Sequence, residues 1–475
     1  MEKILSDLVS TINLVLWDYL LIYALLGIGL FFSIYLGVPQ LTKLGAAFKS
    51  VFGGLFAKKD AADKDHKSLS QFQALAVAVS AQIGTGNVAG VATAITAGGP
   101  GAIFWMWFSA VLGMSTIFAE ALLAQKYRVV GHGKYIGGPA FYITHGLTPK
   151  IGRSAARFLS GGFSIALIIA LGFIGNATQS NSISSAVTVA FNIPPLAVGI
   201  GLAVLAGLII VGGVDRIAKI TQFVVPFMAI IYIICAIVIL FKFSSHIAPM
   251  FNHIFTAAFN PQAVLGGAAG IGMREAVRFG VARGLFSNEA GMGSTPHAHA
   301  TADVQHPVQQ GMAAFVGVFI DTLLVCTATA LIILLTDADK LGLQGAAVTQ
   351  QAFVIAFGSG GAQLLAVCLT FFAFTTIIGW YYFGESNIRF LFHGRHLAIY
   401  RTLVLLAIVL GTLGKVDVVW SLSDMFNGFM VIPNLIALFL LRKEIRAVYD
   451  DYLAQKKAGG ALSYHYEFHE YHEQQ

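Results

Sequence analysis

Ser80-Ala81-Gln82-Ile83-Gly84-Thr85-Gly86-Asn87-Val88-Ala89-Gly90 is the stretch on which the fold turns. Glycines and polar side chains interrupt an otherwise apolar run from Ser70 to Ala97. At bilayer depth an unsatisfied backbone group is costly, so a helix unwinds there only beside a cavity inside the protein. A second half-helix would start near Gly86, its free N–H groups and positive dipole end facing that cavity. Such an end suits a carboxylate, and carbonyls freed at the break suit a small cation. The competing interpretation is an unbroken helix using Gly86 and Gly90 as a small-xxx-small packing face.

Composition puts this stretch in a membrane. The chain has 475 residues, of which 57% are hydrophobic and 11% charged, with a mean hydropathy of +0.76. Soluble domains carry about 25% charged residues, so soluble enzymes, disordered regulators and secreted disulfide scaffolds are excluded. The apolar runs are long and unbroken, as a helical span of roughly 20 residues requires, and lack the short alternation of a transmembrane β-barrel. The fold class is an all-α polytopic membrane protein embedded in the lipid bilayer. Cys235, Cys326 and Cys368 lie inside apolar runs and are read as small core residues. The net charge of +6 reflects topology, not nucleic-acid binding.

Eleven spans are predicted near 14–38, 70–97, 101–125, 158–191, 195–212, 217–243, 262–284, 309–335, 361–392, 398–414 and 418–441. On this map 22 of the 29 Lys and Arg fall on one side of the membrane, and Lys3, Lys242, Lys340 and Lys415 on the other. The positive-inside rule then puts the N-terminus outside and the C-terminus in the cytoplasm. The N-terminus reads as an uncleaved start, not a signal peptide. Arg274, Arg278 and Arg283 sit in or just after span 7. Span 7 carries a second interruption, Gly266-Gly267-Ala268-Ala269-Gly270-Ile271-Gly272-Met273, five spans after the first. Two interrupted spans at matching positions of two halves are the sequence sign of an inverted-repeat transporter. The chain thus divides into span 1 with a charged loop (1–69), a first five-helix repeat (70–243), a second (244–445), and a cytoplasmic tail expected to be disordered (446–475).

Other residues qualify as pocket lining. In span 4, Asn176 and Gln179 share a face at i, i+3, and either line a pocket or join helices by hydrogen bonds. In span 9, Thr375 and Thr376 put hydroxyls beside Trp380, as a sodium site would, unless they bond back to their own helix. Glu120, Asp321 and Glu385 are costly charges within or near spans, and Asp321 is the candidate relay. His297 and His299 lack a ligand cluster and are not read as a metal site. No HExxH motif, P-loop or nucleophile elbow occurs.

Three stretches, SAQIGTGNVAGVATAITAGGPGAIFWMW from Ser80, RGLFSNEAGMGSTPHAHATAD from Arg283 and TTIIGWYYFGE from Thr375, together resemble the alanine/glycine:cation (sodium:alanine) symporter family. The resemblance runs from span 1 to span 11. It implies a leucine-transporter-type fold, with ten of the eleven helices forming two inverted five-helix repeats. The implied function is sodium-coupled symport of alanine and glycine at a bacterial or archaeal inner membrane, without enzymatic activity or a cofactor beyond the coupling sodium. Carried onto this chain, Gly84, Thr85, Gly86 and Asn87 would hold the substrate carboxylate. Gln179, Ile271, Met273, Thr376 and Trp380 would enclose the rest. Sodium would sit between Ala81 and Gly84 carbonyls and the hydroxyls of Thr375 and Thr376. Proton coupling through Asp321 or Glu120 is the alternative. A GTGN channel filter and a membrane-embedded enzyme are weaker ones.

Overall fold

A computed structural model describes residues 2–53, 68–131, 133–259, 272–414, 416–467 and 469–471. Among the described residues seven helices are long and apolar enough to cross a bilayer. They are Asp7–Tyr35 (span 1), Ala102–Lys126 (span 3), Arg153–Phe191 (span 4), Gly213–Lys242 (span 6), Pro307–Leu335 (span 8), Ala346–Phe392 (containing span 9) and Val419–Leu440 (span 11). Span 2 is a pair, Gln71–Gln82 and Thr85–Gly98, bent by 57°. Shorter apolar helices, Pro195–Ile210 and Leu397–Gly411, correspond to spans 5 and 10.

Local chemistry sets the ends. Ser70 opens span 2 with a capping box: the Gln73 N–H donates to its Oγ at 3.1 Å, and the Gln73 side chain accepts from the Ser70 N–H at 3.0 Å. Proline begins spans 5 and 8 within their first turn, where its missing N–H costs nothing. Small residues then let helices close on one another. At Gly280 a Cβ would lie 2.2 Å from the Ala102 carbonyl oxygen, so spans 3 and 7 touch backbone to backbone. Spans 1, 4 and 8 each contain a π-helical stretch: Leu14–Leu21, Ile168–Gly175 and Phe319–Cys326. Such widened turns are common at functional sites, and the last one carries Asp321.

The predicted interruption of span 7 falls largely on residues 260–271, outside the described residues. From Met273 to Asn288 the chain is one continuous helix. The helix breaks afterwards, across 289–295, and resumes as Pro296–Ala300. The SNEAGMGSTPHAHA segment from Ser287, which follows the predicted span 7 (262–284) and on that map is a loop on the cytoplasmic side, is buried throughout. Its polarity suggested solvent, but partners from elsewhere in the fold bond Ser287, Asn288, Glu289, His297 and His299. Two of the three arginines left over by the topology are ion-paired. Arg283 donates to Asp424 of span 11 at 3.0 Å, and Arg278 pairs with Asp18 of span 1.

The tail also departs from expectation. Arg442–Ala458 is a helix, and the chain then runs on as an extended strap. In it β3 (His469–Glu470) pairs parallel to β1 (Val129–Gly131), itself antiparallel to β2 (Lys134–Ile136). The Arg128 guanidinium lies 4.2 Å from the Tyr466 ring centroid and 3.7 Å from that of Tyr135. The Tyr466 hydroxyl donates to the Val304 carbonyl at 3.1 Å. Aromatic residues at 464 and 466 give the strap an anchoring face that composition alone did not disclose.

Candidate broken-helix transport site

The site begins with the backbone groups that Gly84 and Gly86 set free. Span 2 stops at Gln82, makes a 3₁₀ turn over Thr85–Asn87 and resumes at Ala89; every residue from Ser80 to Ala92 is buried. The Gly84 N–H donates to Asn87 Oδ1 at 2.8 Å, and the Thr85 N–H donates to Gln179 Oε1 at 2.9 Å. A Cβ on Gly84 would lie 2.4 Å from Thr376 Oγ1 and 3.0 Å from Gln179 Oε1, so glycine is what admits both neighbours. At Gly86 a Cβ would meet Phe286 and Ser287 at 3.2 Å. The break is therefore enclosed by spans 4, 7 and 9.

On its other side oxygen atoms outnumber protons. Thr376 Oγ1 is 3.0 Å from the Ser80 carbonyl, 3.1 Å from that of Ile83 and 3.1 Å from that of Phe372. One hydroxyl has one proton to give. The surplus is the arrangement a hard cation with oxygen ligands completes. The freed carbonyls belong to Ser80 and Ile83, each one residue before the expected Ala81 and Gly84. Thr375 instead bonds back to Phe371 and Phe372 carbonyls at 3.0 and 2.9 Å, which leaves the cluster to Thr376.

Asp321 joins the two broken spans. Its carboxylate accepts from Asn87 Nδ2 at 2.6 Å, Ser287 Oγ at 3.0 Å and Thr322 Oγ1 at 2.7 Å. Gln82 Nε2 donates to the Asn288 carbonyl at 2.6 Å. Glu120 is fully buried and accepts from the Gly291 and Gly293 N–H groups at 3.1 and 2.9 Å and from Asn434. Trp380 is buried, and its indole N–H donates to Glu289, whose other oxygen accepts from Ser294.

Of the remaining expected residues, Asn176 bonds back to its own helix at Gly172; nearby, Asn181 ties span 4 to the Gly411 and Gly414 carbonyls near the end of span 10. Span 4 thus divides its amides, Gln179 serving the break and Asn181 the packing. Met273 does not join the site: it is 42% exposed. It also lies 14 residues before Ser287, about 21 Å along the helix at 1.5 Å per residue. Ile271 lies outside the described residues. His297 and His299 are buried and bonded to Asn387 and Gln310 at 2.8 and 2.9 Å. Ser80, Ile83, Ser287 and Glu289 went unpredicted. A usable signal was present: Gly291 and Gly293 repeat, after a polar run, the Gly84/Gly86 spacing of span 2.

Long apolar helices around two facing broken ones, with freed backbone groups between them, define a secondary transporter. The chain belongs to the sodium:alanine symporter family, whose model matches residues 1–466. It is 40% identical to the sodium/alanine symporter AgcS of Methanococcus maripaludis, with 92% of this chain and 94% of that one covered. It is 41% identical to the probable sodium/glutamine symporter GlnT of Bacillus subtilis, with 97% and 93% covered. The putative sodium/proton-dependent alanine carrier protein YrbD of the same organism is 40% identical, with 96% and 94% covered. In architecture the chain is similar to a crystallised point mutant of the Eremococcus coleocola manganese transporter, at a TM-score of 0.52 and 14% identity over 83% of this chain and 81% of that one; this likeness concerns fold alone. The protein is thus a multi-pass membrane symporter for amino acids and a cation, of a transporter rather than an enzyme family.

Proposed function

We propose that this chain couples inward sodium movement to uptake of small neutral amino acids, alanine and glycine, across a bacterial or archaeal inner membrane. Its N-terminus lies outside and its tail in the cytoplasm. The observation that carries sodium is the Thr376 cluster, where one hydroxyl meets three carbonyl oxygens. A sodium ion there would be held by neutral oxygens and would carry one net charge inward. That charge is worth about 2.3 kcal/mol per 100 mV, roughly fifty-fold accumulation of a neutral substrate.

The substrate carboxylate takes the half-helix end at Gly84, Thr85, Gly86 and Asn87. Gln179 and Thr376 flank it, and Trp380 forms a wall that favours an alanine-sized side chain. The break at 289–295 supplies the facing backbone that had been assigned to Ile271 and Met273. A zwitterion needs no fixed charge beside it, because carbonyl and amide oxygens accept from its ammonium. Alternating access then moves the broken spans together against spans 4 and 9.

The test is alanine uptake into proteoliposomes under an imposed sodium gradient, with potassium in its place as control. Sodium-dependent accumulation above equilibrium supports the proposal; none under sodium overturns it. Proton coupling is the second reading, favoured by the buried carboxylate of Asp321 between the broken spans and by a relative named as sodium/proton-dependent. Uptake that follows a pH gradient without sodium would select it.

A further inference from the structure

We infer that Glu289 is a positioning residue that sets the size limit of the substrate by holding the Trp380 indole across the pocket; this rests on the pocket proposed above. Glu289 follows the first half of span 7 in a left-handed conformation, φ 58°, its N–H donating to the Leu285 carbonyl at 2.9 Å. Glycine is the usual residue at such a helix end because a side chain is strained there. Here the side chain is used. One carboxylate oxygen accepts the Trp380 indole N–H and the other accepts the Ser294 hydroxyl, so it spans the break in its own helix and reaches span 9. Glu289 and Trp380 are both buried.

Packing restrains the indole on two further sides. A Cβ on Gly175 would lie 2.6 Å from the ring, so span 4 presses against it. Phe286 stands edge-on, with centroids 6.3 Å apart and planes at 89°. Contacts of this kind limit how far a ring can tilt but do not select the direction in which its N–H points; a directional hydrogen bond does. Without it the ring can turn away, and the space it vacates admits longer side chains. Discrimination by a hydrophobic wall against added methylenes amounts to about tenfold or somewhat more, which is the effect at stake.

The experiment is labelled alanine uptake by the full chain with leucine or glutamine as competitor. In E289A and W380F the competitor concentration that halves uptake should fall about tenfold, and E289A/W380F should change it no further than the larger single effect. E289Q keeps an oxygen acceptor for the indole and should retain discrimination. Alongside, a variant keeping Trp380 and replacing Trp17, Trp105, Trp107 and Trp420 by Phe reads indole order directly. Its fluorescence anisotropy should drop with E289A and not with E289Q. Unchanged competition in E289A or W380F, additive effects, loss of discrimination in E289Q, or anisotropy indifferent to E289A would each overturn the inference. If the unmodified chain takes up no alanine, the functional reading fails instead; an anisotropy drop in E289A alone would leave the Glu289–Trp380 clamp standing and place its role on a different substrate.

Discussion

Asp321 in the π-helical stretch of span 8 accepts a hydrogen bond of 2.6 Å from Asn87, the last residue of the 3₁₀ turn in broken span 2. The same carboxylate oxygen accepts from Ser287 at the end of the first half of span 7. One side chain therefore registers both broken helices. Its removal leaves buried donors unpaired, each worth roughly 1–3 kcal/mol. Asp321→Ala is expected to abolish uptake, and Asp321→Asn, which can accept with only one oxygen, to lower it at least tenfold. Initial uptake rates normalised to protein in the membrane check this.

The two neighbouring threonines separate cleanly. Thr376→Val removes the hydroxyl that lies among the Ser80, Ile83 and Phe372 carbonyls, and the sodium concentration for half-maximal uptake should rise tenfold or more. Thr375→Val loses bonds to the Phe371 and Phe372 carbonyls of its own helix and a 3.6 Å contact to Met228 Sδ of span 6, and should shift that concentration less than threefold. A sodium titration of each variant decides it; equal shifts would return Thr375 to the ion site.

At the break itself the prediction is steric. Gly84→Ala puts a methyl 2.4 Å from Thr376 Oγ1, whereas Gly86→Ala brings one to 3.2 Å from Phe286 and Ser287. The first contact requires the break to shift, while the second asks a few tenths of an ångström of a neighbour. Uptake should be lost in Gly84→Ala and reduced but measurable in Gly86→Ala.

Glu120 acts on stability before it acts on transport. Its carboxylate caps two N–H groups in the break of span 7 and holds Asn434 of span 11. Leaving these buried donors without a partner costs roughly 1–3 kcal/mol each. Glu120→Ala should lower the melting temperature in detergent by several degrees, and Glu120→Gln by less.

Outside the membrane, Glu444 gathers Lys126 at 3.1 Å, Lys150 at 3.2 Å and the Tyr127 hydroxyl. Burial raises its pKa, but the Tyr127 hydrogen bond and the Lys126 charge outweigh burial and leave it below the ordinary value of 4.5. A depressed carboxylate stabilises the fold fully above the unfolded-state pKa, and the benefit disappears as pH falls through the folded value. Glu444→Gln should therefore cost about 1 kcal/mol at pH 7, and the gap from the unmodified chain should close below pH 4.5. Melting curves across that range test the sign.

Composition and hydrophobic run length determined the class of this protein, because a chain with so few charges can hide its apolar surface only in lipid. The GTGN segment disclosed the break in span 2, since glycine and polar side chains at mid-membrane have few other uses. Gln179 and Thr376, named through the resemblance, lie against that break, whereas Trp380 packs on Glu289, Gly175 and Phe286. Tertiary structure alone disclosed the break at 289–295. Ser287, Asn288 and Glu289 look like a solvated loop until Asp321, Gln82 and Trp380 arrive from other spans to satisfy them. The carbonyls that meet Thr376 are those of Ser80 and Ile83, each one residue before Ala81 and Gly84, because which carbonyls a broken helix frees depends on how its last turn closes. The order of the tail likewise follows from the cation of Arg128 waiting on another part of the chain. Periodicity and composition report what a segment must hide or expose; hydrogen-bond partners distant in sequence are set only when the helices pack.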